Sequence, residues 1–165
     1  MLVLLLVSCK NKDKTLNIDF SQTKTAKFNN LSFIVPVVFE EGSETSKTGT
    51  GYTLYSENKN GQKINICSFH IVSHHWPMND RAFDIYLSQD HYEEYSIKQM
   101  EINGTIWKYA EANNIKEKNI YYNSGLYVAN HNNYEYLFIY TDYRPENKEC
   151  NSAIHSVINS LNFNN

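Results

Sequence analysis

The chain has few of the residues that mark unusual protein classes. Its 165 residues include 6 glycines, 3 prolines and 3 cysteines, which excludes a collagen-like or disordered chain. Hydrophobic residues make up 41% of the sequence and charged residues 20%, the proportions of a folded globular protein. A chain of this length fits one domain that can bury a core without metal or disulfide staples.

Arginine is also scarce. Only Arg81 and Arg144 are arginine among the 15 basic residues, so bidentate phosphate clamps are few. The 18 acidic residues give a net charge of -3, and the pI is about 6.1. With no overall positive field, nucleic acid is not an expected partner.

The sequence lacks the usual catalytic motifs. It contains no G-x-S-x-G elbow and no glycine-rich phosphate loop, since Gly49-Thr50-Gly51 is too short and no helix follows it. The neighbouring carboxylates Glu40-Glu41 and Glu93-Glu94 are typical of solvated surfaces. We therefore expect a protein that is not an enzyme and that needs no cofactor.

No apolar run is long enough to cross a bilayer, which takes about 20 residues. The run from Met1 to Val7 is typical instead of the end of a signal peptide, and because no basic residue precedes Leu2 we expect the true start codon further upstream. Leu6-Val7-Ser8-Cys9 resembles the lipobox of bacterial lipoproteins. The resemblance implies cleavage before Cys9 and attachment of lipid, including palmitate, to that residue. A buried N-terminal strand with a core cysteine is the alternative.

The residues after Cys9 favour the lipoprotein interpretation. Residues 10–15 are polar and charged, as in a tether that spaces a domain from a membrane. We expect a signal-peptide remnant over 1–8, a lipidated tether over 9–15 and one domain over 16–165. Residues 8–14 (SCKNKDK), in a chain rich in asparagine, lysine and tyrosine, resemble the corresponding segment of Bacteroidetes lipoproteins. This predicts a lipid-anchored protein of the bacterial cell envelope, on an outer-membrane, periplasmic or surface face.

Alternating apolar residues and turn signals predict mostly β-strands. A hairpin over 26–35 turns at Asn29-Asn30 and ends at Pro36, and residues 40–51 are expected to form a loop. The further predicted strands cover residues 52–56, 63–73, 101–112 with a turn at 103–104, 120–130 and 134–143.

Two helices are predicted. One begins at Asn79 or Asp80 and extends to about Lys98. The other follows Pro145, and its apolar stripe consists of Cys150, Ile154, Val157, Ile158 and Leu161. The predicted fold class is α+β, an antiparallel β-sheet with helices packed on its faces in an α/β/α sandwich.

Four core segments resemble the PsbP-like family, named for a photosystem extrinsic subunit. They are residues 31–36 (LSFIVP), 102–104 (ING), 136–140 (YLFIY) and 154–163 (IHSVINSLNF). The resemblance covers nearly all of the expected mature chain and implies a PsbP-like domain. Members are similar to binding or assembly proteins more than to enzymes, and the resemblance carries no active site over to this chain.

Cys67 and Cys150 remain once Cys9 is assigned to lipid. Cys67 shares a strand face with Phe69 and Ile71, and Cys150 lies on the inner stripe of the last predicted helix. A disulfide between helix and sheet is therefore geometrically plausible. Two separate buried thiols are the alternative, and the favoured one, because buried free cysteine is common.

The densest polar cluster comprises His70, His74, His75, Asp80, Asp84 and His91. Its candidate ligands are His70, His74, His75 and Asp80. These residues could bind zinc or a small ligand, although no compact ligand spacing is present and solvated histidines are the favoured interpretation.

Exposed tyrosines offer a further surface. Tyr121, Tyr122 and Tyr143 could form a patch for a protein partner, because tyrosine gives a large contact area at low entropy cost. The leading hypothesis is thus a non-catalytic, membrane-anchored lipoprotein whose soluble domain binds an unidentified protein, in an assembly, accessory or immunity-type role. A small-ligand or metal-binding protein is the alternative.

Overall fold

A computed structural model of the chain describes residues 18–42, 48–57, 60–75, 77–88, 95–117, 120–143 and 148–164. The described residues form these elements in chain order: β1 (Thr23–Phe28), β2 (Leu31–Pro36), β3 (Glu40–Glu41), β4 (Gly49–Glu57), β5 (Lys63–His74), α1 (Arg81–Ser88), β6 (Lys98–Ile102), β7 (Thr105–Glu117), β8 (Ile120–His131), β9 (Tyr134–Asp142), α2 (Lys148–Asn159) and β10 (Asn162–Phe163).

Seven strands form one antiparallel sheet in the order β3-β4-β5-β9-β8-β7-β6. The central strand β9 alternates between two apolar faces, as its sequence predicts. Tyr136, Phe138 and Tyr140 belong to the larger core, whereas Leu137 and Ile139 contact the smaller core on the opposite face. Both faces of the sheet are therefore covered.

The larger core lies beneath α2 and the β1–β2 hairpin. The hairpin turns at Asn29, whose φ of 52° is left-handed, and β10 extends it to three strands. α2 buries a stripe that includes Cys150, Ile154 and Val157. The final helix and its buried face are thus confirmed. Leu161, the last residue of the predicted stripe, is buried but follows the helix, which ends at Asn159.

The smaller core lies beneath α1. Ala82 and Phe83 pack with Leu126, Val128 and Leu137 of the sheet. With α2 on one face and α1 on the other, the predicted α/β/α layering is confirmed. Neither helix in the described part of the chain is long and apolar enough to cross a membrane.

The long helix predicted over 79–98 is wrong in its extent. α1 covers eight residues, residues 95–97 are irregular, and β6 begins at Lys98. Met100 of β6 pairs with Trp107 of β7, so a segment that lacks glycine and proline forms a strand there instead of continuing the helix. Residues 89–94 lie outside the described part of the chain.

The loop predicted over residues 40–51 is also corrected. Glu40 and Glu41 form β3, which pairs with Thr53 and Tyr52 of β4, and β4 already begins at Gly49. A two-residue edge strand leaves too short a pattern to detect. Residues 43–47 lie outside the described part, as do Pro145 and residues 1–17, which include the lipobox and tether.

Candidate functional site

A groove runs along one flank of α2, between that helix, the β1–β2 hairpin and the segment that enters β1. Its volume is about 460 Å³. The groove is lined by Ile18, Phe20, Thr23, Ile34, Pro36, Lys148, Glu149, Ser152, Ala153 and Ser156. The wall formed by the hairpin and the entering segment is mainly apolar, whereas α2 contributes mainly polar side chains.

Ile34 is the most exposed apolar side chain of this groove. Strand alternation places Phe33 and Val35 in the core and turns Ile34 outward, where 48% of it is exposed. The strand is held there because the Ile34 backbone N–H donates to Ser160 Oγ at 2.8 Å. Ser160, at the end of α2, in turn donates to the Val157 carbonyl at 2.6 Å. Hydrogen bonds to the end of α2 therefore fix the backbone that carries the exposed Ile34 side chain.

The opposite flank of α2 carries a polar cluster in an otherwise apolar layer. Tyr127 donates its hydroxyl to Glu111 Oε1 at 2.5 Å, and Tyr140 donates to the same oxygen at 3.1 Å. His155 Nε2 of α2 lies 3.7 Å from that oxygen. Burial, and then the hydrogen bond to Glu111, raise the pKa of Tyr127, so its hydroxyl remains a neutral donor.

Gly125 makes this polar cluster sterically feasible. It lies opposite both Glu111 of β7 and Tyr140 of β9. The Tyr140 ring lies over it so closely that an added Cβ would clash with the ring. A residue without a side chain is therefore required for Tyr140 to reach Glu111.

The structure joins Cys67 and Cys150 in a disulfide, rather than leaving two separate thiols. Their Cα atoms are 6.7 Å apart, within the range seen for disulfides. Both residues are fully buried. The bond links the middle of β5 to the first turn of α2.

The four residues of the predicted metal cluster have other surroundings. His70 lies against Gly51 of the neighbouring strand, and desolvation lowers its pKa. The His75 ring is 5.1 Å from that of Tyr134, and Asp80 pairs with Lys108 at 2.7 Å.

His74 completes the predicted set, and its Nε2 is buried without a hydrogen-bond partner among the described residues. In the described ranges, no three His, Cys, Asp or Glu side chains are grouped so that they could hold a metal ion. His70, His74, His75 and Asp80 therefore form no metal centre in this structure.

The predicted tyrosine patch is only partly present. Tyr143 is 41% exposed, but Tyr122 is buried with 6% exposure. Their ring centroids lie 6.2 Å apart. The side chain of Tyr121 lies outside the described part of the chain. Tyr122 therefore contributes to the packing beneath Tyr143 and offers little surface to a partner.

Sequence reasoning missed three buried or half-buried carboxylates, those of Glu111, Glu135 and Asp142. Glu111 is described above, and Glu135, fully buried, accepts hydrogen bonds from the backbone N–H groups of Met78 and Asn79 at 2.9 Å each. This anchors the turn that begins α1. Glu135 directly precedes the apolar run of β9, whose other charged residue, Asp142, is the last of the strand, and a charge beside such a run was the available signal.

The sequence matches no protein-family model and no curated protein. Solved structures do match. The Ran-binding protein Mog1p of Saccharomyces cerevisiae matches with a TM-score of 0.57 and 10% identity, over 86% of this chain and 95% of that one. Cyanobacterial PsbP (CyanoP) from Synechocystis sp. PCC 6803 matches with a TM-score of 0.57 and 8% identity, over 91% and 96%.

A protein of Bacteroides thetaiotaomicron matches with a TM-score of 0.54 and 15% identity, over 89% of this chain. The chain spans about half the length of that protein, 50%. These likenesses establish the fold: an antiparallel sheet with helices packed on it, as in Mog1p and CyanoP. The predicted PsbP-like fold is thus confirmed.

Proposed function

We propose that the protein is a non-catalytic lipoprotein of the bacterial cell envelope whose domain binds another protein through the groove beside α2. The observation that carries the proposal is Ile34, an apolar side chain 48% exposed in a groove of about 460 Å³. An exposed apolar side chain in a concave, partly polar surface is a suitable anchor for a partner. Mog1p, of similar fold, is described as Ran-binding.

The binding role is tested by photo-crosslinking from the groove. A photoreactive residue at Ile34 is compared with one at Ile64, which is 40% exposed but does not line the groove. We expect one protein to be crosslinked in native membranes from position 34 and not from position 64. Ile34→Asp should then reduce capture of that same protein, whereas Ile64→Asp should not. Equal capture from both positions contradicts the groove as the binding site.

The anchor is tested separately through Cys9. Lipidation of this residue would give the membrane attachment, since each buried methylene contributes about 0.8 kcal/mol. Wild-type cells fed an alkynyl palmitate should incorporate the label, and the protein should fractionate with membranes. Cys9→Ser should lose both the label and the membrane association, while Cys67 and Cys150 remain. Label or membrane association unchanged in Cys9→Ser contradicts the anchor.

The finer role follows from the captured partner. A component of an envelope assembly crosslinked at position 34 would indicate an accessory or assembly role. A toxin whose activity falls on binding would indicate an immunity role. In either case we expect the domain to convert no substrate, because the proposal assigns the groove to protein binding.

A further inference from the structure

The negative charge of the Glu111 carboxylate is not required by the hydrogen bonds that it accepts. Two tyrosine hydroxyls donate to its Oε1, and those donors need only an acceptor. A neutral glutamine carbonyl could accept both bonds with a smaller desolvation cost than a carboxylate. The negative charge at this position is therefore not explained by the hydrogen bonds to Tyr127 and Tyr140.

The carboxylate is also held in a fixed orientation with one oxygen uncommitted. Its Oε1 is fixed by Tyr127 and Tyr140, whereas no described residue donates a hydrogen bond to its Oε2. The Glu111 side chain is 26% exposed, so the site can be reached from solvent. A preoriented group binds a ligand without losing further conformational entropy.

No permanent cation neutralises this charge within the described residues. Among the described side chains, the one basic group within 4 Å is His155 Nε2, at 3.7 Å, and a histidine is charged only when protonated. The half-buried ring of Tyr109 lies two residues before Glu111 on the same face of β7 and stacks on Tyr127 with centroids 5.2 Å apart. Carboxylate and aromatic ring together form the kind of surroundings that favour an organic cation.

We propose that Glu111, together with Tyr109, is a receptor site for an ammonium or guanidinium group. Glu111 Oε2 accepts hydrogen bonds from the cation, and the tyrosine hydroxyls hold the carboxylate in place. The source of the cation is either a small free amine or a basic side chain of a protein. The site lies on a different flank of α2 from the groove, so its failure would leave the proposed function standing.

The test is an NMR titration of the isotope-labelled protein. Nα-acetyl-arginine methylamide and Nα-acetyl-lysine methylamide represent basic side chains, methylguanidinium represents a free cation, and Nα-acetyl-glutamine methylamide is the neutral control. We expect saturable shifts at the amides of Glu111, Gly125 and His155 with the cations and none with the neutral compound. Added salt should weaken the binding, because it screens the charge.

Glu111→Gln is the decisive variant, since it keeps an acceptor for both tyrosines. We expect its affinity for the cations to fall at least tenfold, while its melting temperature stays close to that of the wild type. Glu101→Gln, on an exposed position of β6, is the matched control and should bind as the wild type does. His155→Gln, which removes the internal competitor, should bind at least as tightly.

The outcomes separate the sources of the cation. Tighter binding of the arginine or lysine compound than of methylguanidinium assigns the site to a basic protein side chain. Equal affinity for all three cations assigns it to the charged group alone. The proposal is overturned by shifts that do not saturate, by equal binding to the neutral compound, or by unchanged affinity in Glu111→Gln.

Discussion

Reduction of the Cys67–Cys150 disulfide should cost this domain a large part of its stability. The bond closes a loop with a sequence separation of 83 residues. In the chain-entropy description, a loop of that length restricts the unfolded state by about 4.5 kcal/mol at 25 °C. That is comparable with the total stability of many single domains, about 5–15 kcal/mol. The oxidised protein should therefore be far more resistant to urea than the reduced one.

The assay is urea unfolding of the Cys9→Ser variant, in which Cys67 and Cys150 are the only cysteines. With a slope of about 2 kcal/mol/M, the predicted difference corresponds to a midpoint about 2 M lower after reduction. The Cys67→Ala/Cys150→Ala double variant should unfold near the reduced protein, since it also lacks the link. Thiol titration of the oxidised protein in denaturant should find no free thiol.

Two results would refute this reasoning. Two titratable thiols in protein isolated from its own compartment would show that the sulfur atoms remain reduced. Equal urea midpoints for oxidised and reduced protein would show that the bond does not restrict the unfolded chain. The first result would restore the interpretation as two buried thiols, which the sequence by itself favours, whereas the second would refute only the predicted stabilisation.

Three further changes test the packing and the charges. Gly125→Ala should lower the free energy of unfolding by about 1–3 kcal/mol in urea, because the added Cβ would meet the Tyr140 ring. Gly42→Ala is the control and should cost less, because the nearest atom to its added Cβ is 3.5 Å away. Equal losses of stability in the two variants contradict the close packing at Gly125. Glu135→Gln should cost about 1–3 kcal/mol and speed amide exchange in α1, and unchanged exchange would argue against the anchor. The His70 ring should titrate by NMR below pH 6.5, because desolvation lowers its pKa. The unfolded chain then binds this proton more readily than the folded one, so stability should fall as the pH drops below 6.5. A titration midpoint of His70 at or above pH 6.5 contradicts this.

Local patterns explain why much of the fold could be predicted. Asn29 and Asn103 take the left-handed φ values, 52° and 48°, that their hairpin turns require. The alternating residues of β9 and the stripe of α2 occupy the faces that their spacing predicts. In each case the signal lies within about a dozen neighbouring residues, and the structure uses it without change.

The boundary between α1 and β6 shows where such patterns fail. The prediction extends the helix to about Lys98 because the segment lacks glycine and proline, yet residues 95–97 are irregular and the chain pairs with β7 from Lys98 onward. Antiparallel pairing with the next strand, across the turn at Asn103 and Gly104, decides this boundary. A helix prediction that depends on the absence of glycine and proline does not take that pairing into account.

The sequence by itself determined the α+β class, the hairpins, the final helix and the expectation of a lipid on Cys9, because each depends on residues close together in the chain. Tertiary structure decided the pairing of Cys67 with Cys150, the groove at Ile34 and the cluster at Glu111. These features join residues from separate strands and from α2, so they exist only once strand register and helix position are set. A cluster that depends on which residues face one another across layers has no signature in any single segment.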